Sequence, residues 1–442
     1  TSAEGENVMR SSDNRVLRAG RWPALVLGAV VLSGTLAACS STTGSGGSST
    51  ASTDPIPAAA FSDHTGVTAT SVTVANISTQ TAGLFKGAAV GAQAYAAYAN
   101  STGGVNGRRI VVEGQDDQFS GAMNKQLTQQ AVNTDFATVG DVSLEDGFGG
   151  SVLAANPQFP NVSESLDPVT RKLPTTFSAM PSGLGWPLGP LVYFAKRFPT
   201  QIKHTGTIVA DLPSTVLTWN QEKAAMGHEG YDVVYSPALP PTQTDFTANV
   251  VAMRNAGVQI LFLEQMPQNY ASAAIKDLNQ QNFHPIVVLG SPAYSSVLVP
   301  NSGGAAAIDG AFFEQQSAYY LGEDAPAIPA VTTFDTWVKK VAPGFQADLF
   351  TFEGWLNAEL FTQALRNAGT DPSRGSLLQA LHRITAFDSG NLIPVSNPAK
   401  KVPITCYLLG RIQGGTFVRM DDPPISSATH GYRCDQPYYT AP

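Results

Sequence analysis

The segment Gly103-Gly104-Val105-Asn106-Gly107-Arg108-Arg109-Ile110 is the most informative part of this sequence about its fold. Glycines end a helix because they adopt left-handed backbone geometry without a steric penalty, and Asn-Gly supplies the tight turn that follows. An Ala-rich helical stretch over residues 83–100 precedes this segment, and a β-rich run over 109–113 follows it. The segment therefore predicts a helix that turns directly into a strand, and we interpret residues 103–107 as purely structural.

The same alternation of β-rich runs and helical stretches occurs in two successive series. The first series has predicted strands at 71–77, 109–113, 136–140 and around 161–163, and the second has them at 206–210, 231–235, 258–263 and 286–289. This alternation is typical of βαβ units with parallel sheets. A chain of 442 residues is also longer than one hydrophobic core usually serves. The predicted fold class is α/β, with two Rossmann-like lobes and a hinge cleft between them.

The two series set the predicted domain boundaries. Lobe one comprises residues 67–180 and 311–388, and lobe two comprises residues 181–310 and 389–442. Helices are expected at 331–341, 349–368 and 374–384, and a hairpin is expected over 407–420, where Gln413-Gly414-Gly415 forms the turn. Ligands of open α/β sheets bind beyond the carboxyl ends of the strands, so the loops after the strands are the candidate site.

The first 38 residues predict a signal peptide. Four arginines precede an apolar run from residue 22 to 36, and Leu36-Ala37-Ala38-Cys39 follows it. This ending resembles the bacterial lipobox, which implies that Cys39 carries a lipid; an ordinary signal peptide with a chance cysteine is the alternative. Residues 39–66 are predicted to be a flexible tether rich in Ser, Thr and Gly. The protein is then expected at the outer face of the cytoplasmic membrane, held by its lipid.

Cys406 and Cys434 are the other two cysteines. Two cysteines outside the cytoplasm are expected to form a disulfide, and this one would fix the C-terminal tail. A redox pair or half of a metal site is the alternative, but neither CxxC spacing nor nearby histidines support it.

The composition argues against several classes of function. A net charge of −8, with no Lys/Arg cluster after Arg21, is unsuited to nucleic acids. We find no G-x-S-x-G or H-E-x-x-H motif and no phosphate-binding loop, and the six histidines lack metal-ligand spacing. Gly183-Leu184-Gly185 is only a fragment of a dinucleotide fingerprint. We therefore expect no enzyme, no cofactor and no metal site.

The chain resembles the type I periplasmic-binding fold over residues 67–420, specifically the branched-chain-amino-acid-binding (leucine/isoleucine/valine-type) proteins of ABC transporters. The turn at 103–110 carries the resemblance, with Asp116-Asp117-Gln118 at family spacing, Gln243-Thr244-Asp245-Phe246 before a helix, and Gly290 closing a strand. The resemblance implies a monomeric extracytoplasmic protein that captures a small polar solute, such as an amino acid or amide, for an ABC transporter permease. A ligand-sensing envelope lipoprotein without a transport role is the alternative.

Ligand contacts in this family come from loops after the strands. Carried over by position, the predicted contacts are Ser78, Thr79, Gln80, Thr81, Phe85, Asp141, Ser143, Leu144, Glu164, Ser165 and Asp167 in lobe one, and Asp211, Ser214, Gln265, Met266, Ser291 and Tyr294 in lobe two. Any Ser or Thr among them could instead cap a helix.

The sequence departs from the family where an acidic residue should hold the ammonium of an amino acid. Ser291, Pro292 and Ala293 occupy that region. Glu164, Asp167 or Glu264 could replace the missing charge and favour a cationic solute, whereas the many hydroxyls and amides, with Phe85 and Tyr294, would suit a neutral one.

Overall fold

The computed structural model describes residues 56–240 and 242–441, which form two main β-sheets flanked by helices. The predicted signal peptide, Cys39 and the tether up to residue 55 lie outside the described residues. Within the described part of the chain, no helix is both long and apolar enough to cross a bilayer.

The first sheet is built from βαβ units, as the alternating sequence predicts. Its elements and their helices are β1 (Ser71–Ser78), α1 (Lys86–Ser101), β2 (Arg109–Asp116), α2 (Gly121–Thr134), β3 (Thr138–Val139), α3 (Asp146–Ala155), β4 (Asn161–Val162), α4 (Pro168–Lys172) and β5 (Thr176–Phe177). The strands are parallel and lie in the order β2-β1-β3-β4-β5. All carboxyl ends of this sheet therefore point to one edge.

The second half of the chain repeats the alternation of strands and helices, and the chain then returns to the first half. Its elements are β6 (Trp186–Pro187), α5 (Leu188–Arg197), β7 (Thr205–Thr207), β8 (Val209–Ala210), α6 (Pro213–His228), β9 (Val233–Tyr235), β10 (Ala238–Leu239), α7 (Thr247–Asn255), β11 (Ile260–Leu263), α8 (Gln268–Gln280), β12 (Ile286–Leu289), α9 (Leu298–Asn301), α10 (Ala305–Ile308), β13 (Phe312–Gln315), α11 (Pro329–Val341), α12 (Leu349–Asn367), α13 (Arg374–Leu381), β14 (Leu408–Gln413), β15 (Thr416–Arg419) and β16 (Tyr438–Tyr439).

The second sheet has the order β15-β14-β13-β12-β11-β7-β9. Strands β13, β12, β11, β7 and β9 are parallel to one another. The predicted hairpin β14–β15 extends the sheet in antiparallel fashion. A disulfide joins Cys406 and Cys434, so that prediction is confirmed.

Helix α12 returns to the first half of the chain and packs along α1. Two glycines permit the close approach: a Cβ on Gly91 would lie 1.8 Å from the carbonyl oxygen of Thr351, and one on Gly354 would lie 2.1 Å from that of Ala88. Helix α12 therefore packs with the first half of the chain.

The structure corrects two predicted boundaries. Strand β13 pairs with β12 in the second sheet, whereas the predicted division placed residues from 311 onward in lobe one. The alternation of strands and helices is less regular after Gly310, so the sequence pattern did not reveal β13 as part of the second sheet. The tether also ends earlier than residue 66, because Ala58–Ser62 forms a 3₁₀ turn against α13 and Asp63 pairs with the buried Arg374 at 2.8 Å.

Candidate functional site

The carboxyl edges of the two sheets carry the loops that the sequence singles out. One contact connects these edges, and another ties the first edge to the segment that leads into the second half. Ser182, in the segment leading into the second half, donates to the Glu164 carboxylate at 3.3 Å. Ser296, after β12, donates to the Gln346 side chain just before α12 at 2.5 Å. Loops from both sheets therefore meet around one region, which is the candidate site.

The predicted contacts Thr79 and Ser143 belong to a buried hydrogen-bond network at the edge of the first sheet. The Ser143 hydroxyl donates to the Asp117 carboxylate, which also accepts from the Asn124 amide at 3.0 Å. The Thr79 hydroxyl lies 3.4 Å from that of Ser143 and accepts from the Leu144 amide at 3.2 Å. The protein itself satisfies these hydroxyls.

Ser78 and Asp141 also serve the structure of the loops. The Ser78 hydroxyl donates to the Asn76 side chain at 3.0 Å and accepts from the Val142 amide at 3.1 Å. Asp141 accepts from the Ile77 amide at 3.0 Å, and burial raises the pKa of its carboxyl well above the usual range. Both side chains tie the loop after β3 to β1.

Gln80 and Thr81 lie closer to solvent. Both backbone amides point at the Asp116 carboxylate, and the exposed Thr81 hydroxyl donates to it at 2.8 Å. The Gln80 side chain is half-buried and donates to the carbonyl oxygen of Gln115 at 3.1 Å. These two residues form an accessible tip of the first sheet.

Phe85 and Leu144 contribute to an apolar patch at the same edge. The Phe85 ring contacts the Phe350 ring at a centroid distance of 4.4 Å, and Leu84 and Leu166 complete the patch. Phe85 itself is buried, whereas the other four side chains are half-buried. The patch offers hydrocarbon surface beside the polar loops.

The loop after β4 holds three more predicted contacts. The half-buried Glu164 accepts hydrogen bonds from Ser178 at 2.6 Å and Ser182 at 3.3 Å, and burial raises its pKa. Ser165 is buried beside Ser163. Asp167 caps helix α4, where its Oδ1 atom accepts from the amides of residues 169 and 170. Of these three side chains, Glu164 is the one hydrogen-bonded to the segment leading into the second half.

Glu353 lies near Glu164, and no sequence pattern singles it out. Its Oε2 atom is buried without a hydrogen-bond partner. Burial, with the negative charges of Glu164 and Asp348, raises the pKa of Glu353 well above the usual range. Its position in the second turn of α12 resembles an ordinary polar helix position, which is why the pattern missed it.

In the second half of the chain, four predicted contacts have side chains that are not fully buried. Asp211 is exposed directly after β8, and Ser214 lies in the first turn of α6. Gln265, after β11, donates its amide to Glu222 at 2.9 Å. Ser291 is half-buried at the start of a 3₁₀ turn after β12.

Met266 and Tyr294 are enclosed instead. Both have no exposed surface, and both lie in the main hydrophobic core. The Tyr294 ring packs against Tyr320 at 4.8 Å and Phe417 at 4.7 Å, and its hydroxyl donates to Glu323 at 2.5 Å. Residues distant in sequence surround both side chains, so neither presents exposed surface at this edge.

Three buried glutamates form an acid cluster at the edge of the second sheet: Glu222, Glu264 and Glu314. Burial raises the pKa of Glu222 and of Glu314 to about 8, and burial with the other two charges raises that of Glu264 well above its usual range. Sequence analysis singles out Glu264 but neither Glu222 nor Glu314. An acid directly after the apolar run at 311–313 is the signal that could have revealed Glu314.

Neither the cluster nor any other group in residues 56–240 and 242–441 has three His, Cys, Asp or Glu side chains arranged to hold a metal ion. What the two edges offer is hydroxyls, amides, carboxylates and one apolar patch. Such groups can bind and orient a small organic molecule by hydrogen bonds, charge and contact.

Comparison with known proteins gives the family and the fold. A family model described as "Periplasmic binding protein" matches residues 72–416. No curated protein matches the chain. A branched-chain amino acid ABC transporter protein from Thermus thermophilus with bound valine is 17% identical with a TM-score of 0.68, covering 81% of this chain and 97% of that one.

Two other similar structures are described with different solutes. An R. palustris solute-binding protein in complex with 4-hydroxybenzoate is 16% identical, with a TM-score of 0.65 and coverage of 79% of this chain and 95% of that one. A fatty acid ABC transporter substrate-binding protein from Thermomonospora curvata is 15% identical, with a TM-score of 0.65 and coverage of 86% and 95%. One fold thus serves chemically distinct solutes, and the side chains of the site must decide the ligand.

Proposed function

This chain belongs to the periplasmic binding protein family, and from that premise we propose that it captures a small organic solute and delivers it to an ABC importer. The family is one of binding proteins and not of enzymes, and it implies an extracytoplasmic location. The type I periplasmic-binding fold expected from residues 103–110 is confirmed.

One observation carries the proposal: loops that follow the parallel strands of both sheets are in contact. The Ser296–Gln346 hydrogen bond connects the two edges, and the Ser182–Glu164 hydrogen bond connects the first edge to the segment leading into the second half. Gln80 and Thr81 at the first edge and Gln265 at the second have accessible side chains. In open α/β sheets this edge is where ligands bind.

Two lobes, one around each sheet, would close on the solute by a hinge motion. Three chain segments connect the sheets, at 178–185, 316–328 and 382–407. The solute would dock first on lobe one, where the apolar patch and the tip at Gln80 and Thr81 lie. Closure by lobe two would then create the liganded shape that a permease recognises, so the affinity includes the free-energy difference between open and closed states.

Lipidation of Cys39 would hold the protein at the outer face of the cytoplasmic membrane. The Leu36-Ala37-Ala38-Cys39 ending supports this part of the proposal. Expression in a bacterial host tests it: the protein should fractionate with membranes, and Cys39→Ser should abolish labelling by a fatty-acid analogue. Labelling that persists in the variant would contradict it.

The test of solute capture is a thermal-shift screen of the purified chain against amino acids, amides, short peptides, polyamines and aromatic acids. A solute that raises the melting temperature should also reduce the radius of gyration in solution scattering. A scattering profile unchanged by a solute that binds would contradict closure, and a screen without any hit would contradict the proposed function.

A further inference from the structure

The second sheet has a cavity at its amino edge, opposite the candidate site. Strands β12 and β13 begin there at Ile286 and Phe312, and the cavity lies between these strand ends, the C-terminal half of α8 and helix α10. Its volume is about 440 Å³, within the size range of sites that hold small molecules. Four residues of β12 separate this edge from Gly290 at the candidate edge, a distance of about 13 Å. The cavity is therefore distinct from the candidate site.

Apolar side chains line most of this cavity. Leu278 on α8 is buried beneath it, whereas Phe283 and Val287 are half-buried and so present hydrocarbon to a ligand. The Asn279 side chain on α8 donates to the carbonyl oxygen of Ala307 on α10 at 2.6 Å. This hydrogen bond holds two walls of the cavity together, so the apolar surface is formed before a ligand arrives.

Two arginines converge on the ring of Phe312 beside this hydrocarbon. Arg411 is the cross-strand partner of Phe312, so their side chains share one face of the sheet, and its guanidinium carbon lies 4.8 Å from the ring centroid. Arg197, the last residue of α5, approaches the same ring with its guanidinium carbon at 5.7 Å. Both arginines line the cavity, so two positive charges are presented to one space.

Neither Arg197 nor Arg411 forms an ion pair with any residue of 56–240 or 242–441. Arg411 donates from Nε and Nη2 to the carbonyl oxygen of Gly310 at 3.3 and 3.2 Å, which fixes the guanidinium but uses only two of its five N–H groups. Asp309 also borders the cavity, and its carboxylate accepts from the Gly414 amide at 2.7 Å. Two cations thus face one carboxylate, and this imbalance favours a negatively charged ligand.

We propose that the amino-edge cavity is a second binding site, which takes a small organic anion with an apolar body. The carboxylate of such a ligand accepts hydrogen bonds from Arg197 and Arg411, and its hydrocarbon lies on Phe283 and Val287. Charge selects the anion, because an amine meets two like charges and an alcohol leaves both guanidinium groups without a counter-charge. The inference goes beyond the proposed function, since it involves neither the candidate site nor an importer.

Every wall of this cavity belongs to the second half of the chain. Helices α5, α8 and α10, strands β12 to β14 and the loops beside them supply the residues that line it. Binding there should not draw the two lobes together, whereas a solute at the candidate site should. Solution scattering therefore distinguishes the two sites, because an anion in the cavity should leave the radius of gyration unchanged.

The experiment compares three eight-carbon probes that differ in their head group: octanoate, 1-octanol and octylamine. Calorimetry on the full chain at pH 7 should show octanoate binding at least tenfold more tightly than the other two, and at least tenfold more tightly than butyrate, which lacks most of the apolar body. Arg197→Gln and Arg411→Gln should each weaken octanoate at least fivefold. Lys196→Gln is the matched control, because this exposed lysine precedes Arg197 on α5 and does not line the cavity, and it should bind as the parent does.

The outcomes bear on the cavity and leave solute capture to its own test. Equal octanoate affinity in the parent and in Arg197→Gln, whose exposed position should leave the fold intact, overturns the anion site. Octylamine or 1-octanol binding as tightly as octanoate also overturns it, as does octanoate failing to bind the parent. If octanoate reduces the radius of gyration, it occupies the candidate site instead and the inference fails. Solute capture stands in each case, because the thermal-shift screen tests it separately.

Discussion

The two sheet edges that form the candidate site treat their polar side chains in opposite ways. At the first sheet, buried Asp117 and Ser143 satisfy each other and their neighbours within the same half of the chain. At the second sheet, Glu264 is as deeply buried but has no donor for either carboxylate oxygen. A satisfied network stabilises the fold, whereas unsatisfied acceptors reduce stability until something binds them. The first edge is therefore a stabilising network, whereas at the second edge burial raises the pKa of the acids.

The largest expected effect follows from breaking the satisfied edge. Asp117→Ala removes the carboxylate that accepts from the Ser143 hydroxyl, the Asn124 amide and the backbone N–H of residue 119. Asp117 is fully buried. We expect the free energy of unfolding to fall by about 3 kcal/mol in urea titrations, because buried donors lose their partner. Asp371→Ala, at a side chain that is 85% exposed, is the control and should change it by less than about 0.5 kcal/mol. A loss below about 1 kcal/mol for Asp117→Ala would mean that the first edge is not the stable one.

Much of the first edge could be predicted from its sequence, because its structure is local. The turn at 103–107 has positive φ at Gly103, Gly104, Asn106 and Gly107, as the glycine pattern requires. The predicted strand at 71–77 is observed as β1, one residue longer, and the predicted helix at 83–100 begins at Lys86 after a short 3₁₀ turn. Short-range pattern and turn chemistry were sufficient for these elements.

The second expected effect tests the row formed by residues 264, 290 and 314, which lie level across β11, β12 and β13 at the unsatisfied edge. A Cβ on Gly290 would lie 2.9 Å from both Cα and the carbonyl oxygen of Glu264, so Gly290→Ala forces backbone atoms apart. We expect a loss of about 2 kcal/mol in the free energy of unfolding, a typical cost of overpacking. Gly227→Ala is the matched control in α6, where no atom lies within 4 Å of the new Cβ, and it should stabilise by about 0.5 kcal/mol. Equal effects of both substitutions would argue against the tight row.

A third, smaller effect has the opposite sign and comes from removing charge at the unsatisfied edge. The folded-state pKa of Glu314 is raised to about 8 from 4.5, so its stabilising contribution is complete below pH 4.5 and is lost as the pH rises through 8. Glu314→Gln should therefore unfold like the parent at pH 5 and be more stable by about 1 kcal/mol at pH 9. Denaturation at both pH values measures this, with Glu113→Gln as the control. Parallel pH profiles would contradict a strained acid cluster.

Long-range packing explains what the sequence could not predict at the second edge. Tyr294 follows a strand end, where the family pattern expects a ligand contact, but Tyr320 and Phe417 enclose it from segments 26 and 123 residues away. The acid cluster likewise combines α6, β11 and β13, and no spacing within one segment relates its members. Side chains at the edge of a sheet thus become buried or accessible through partners that periodicity cannot identify.

The smallest expected effects concern the accessible tips of the two edges. Thr81→Val removes a hydroxyl that donates to Asp116 at 2.8 Å in solvent, and Asp211→Asn removes an exposed charge. Both should change the free energy of unfolding by less than about 0.5 kcal/mol, since water replaces the lost contacts. Urea titrations of both variants beside Asp117→Ala measure the contrast between exposed tips and a buried network. A loss above about 1 kcal/mol for either tip variant would mean that water does not replace these contacts, and exposure would then not explain why the buried network matters more.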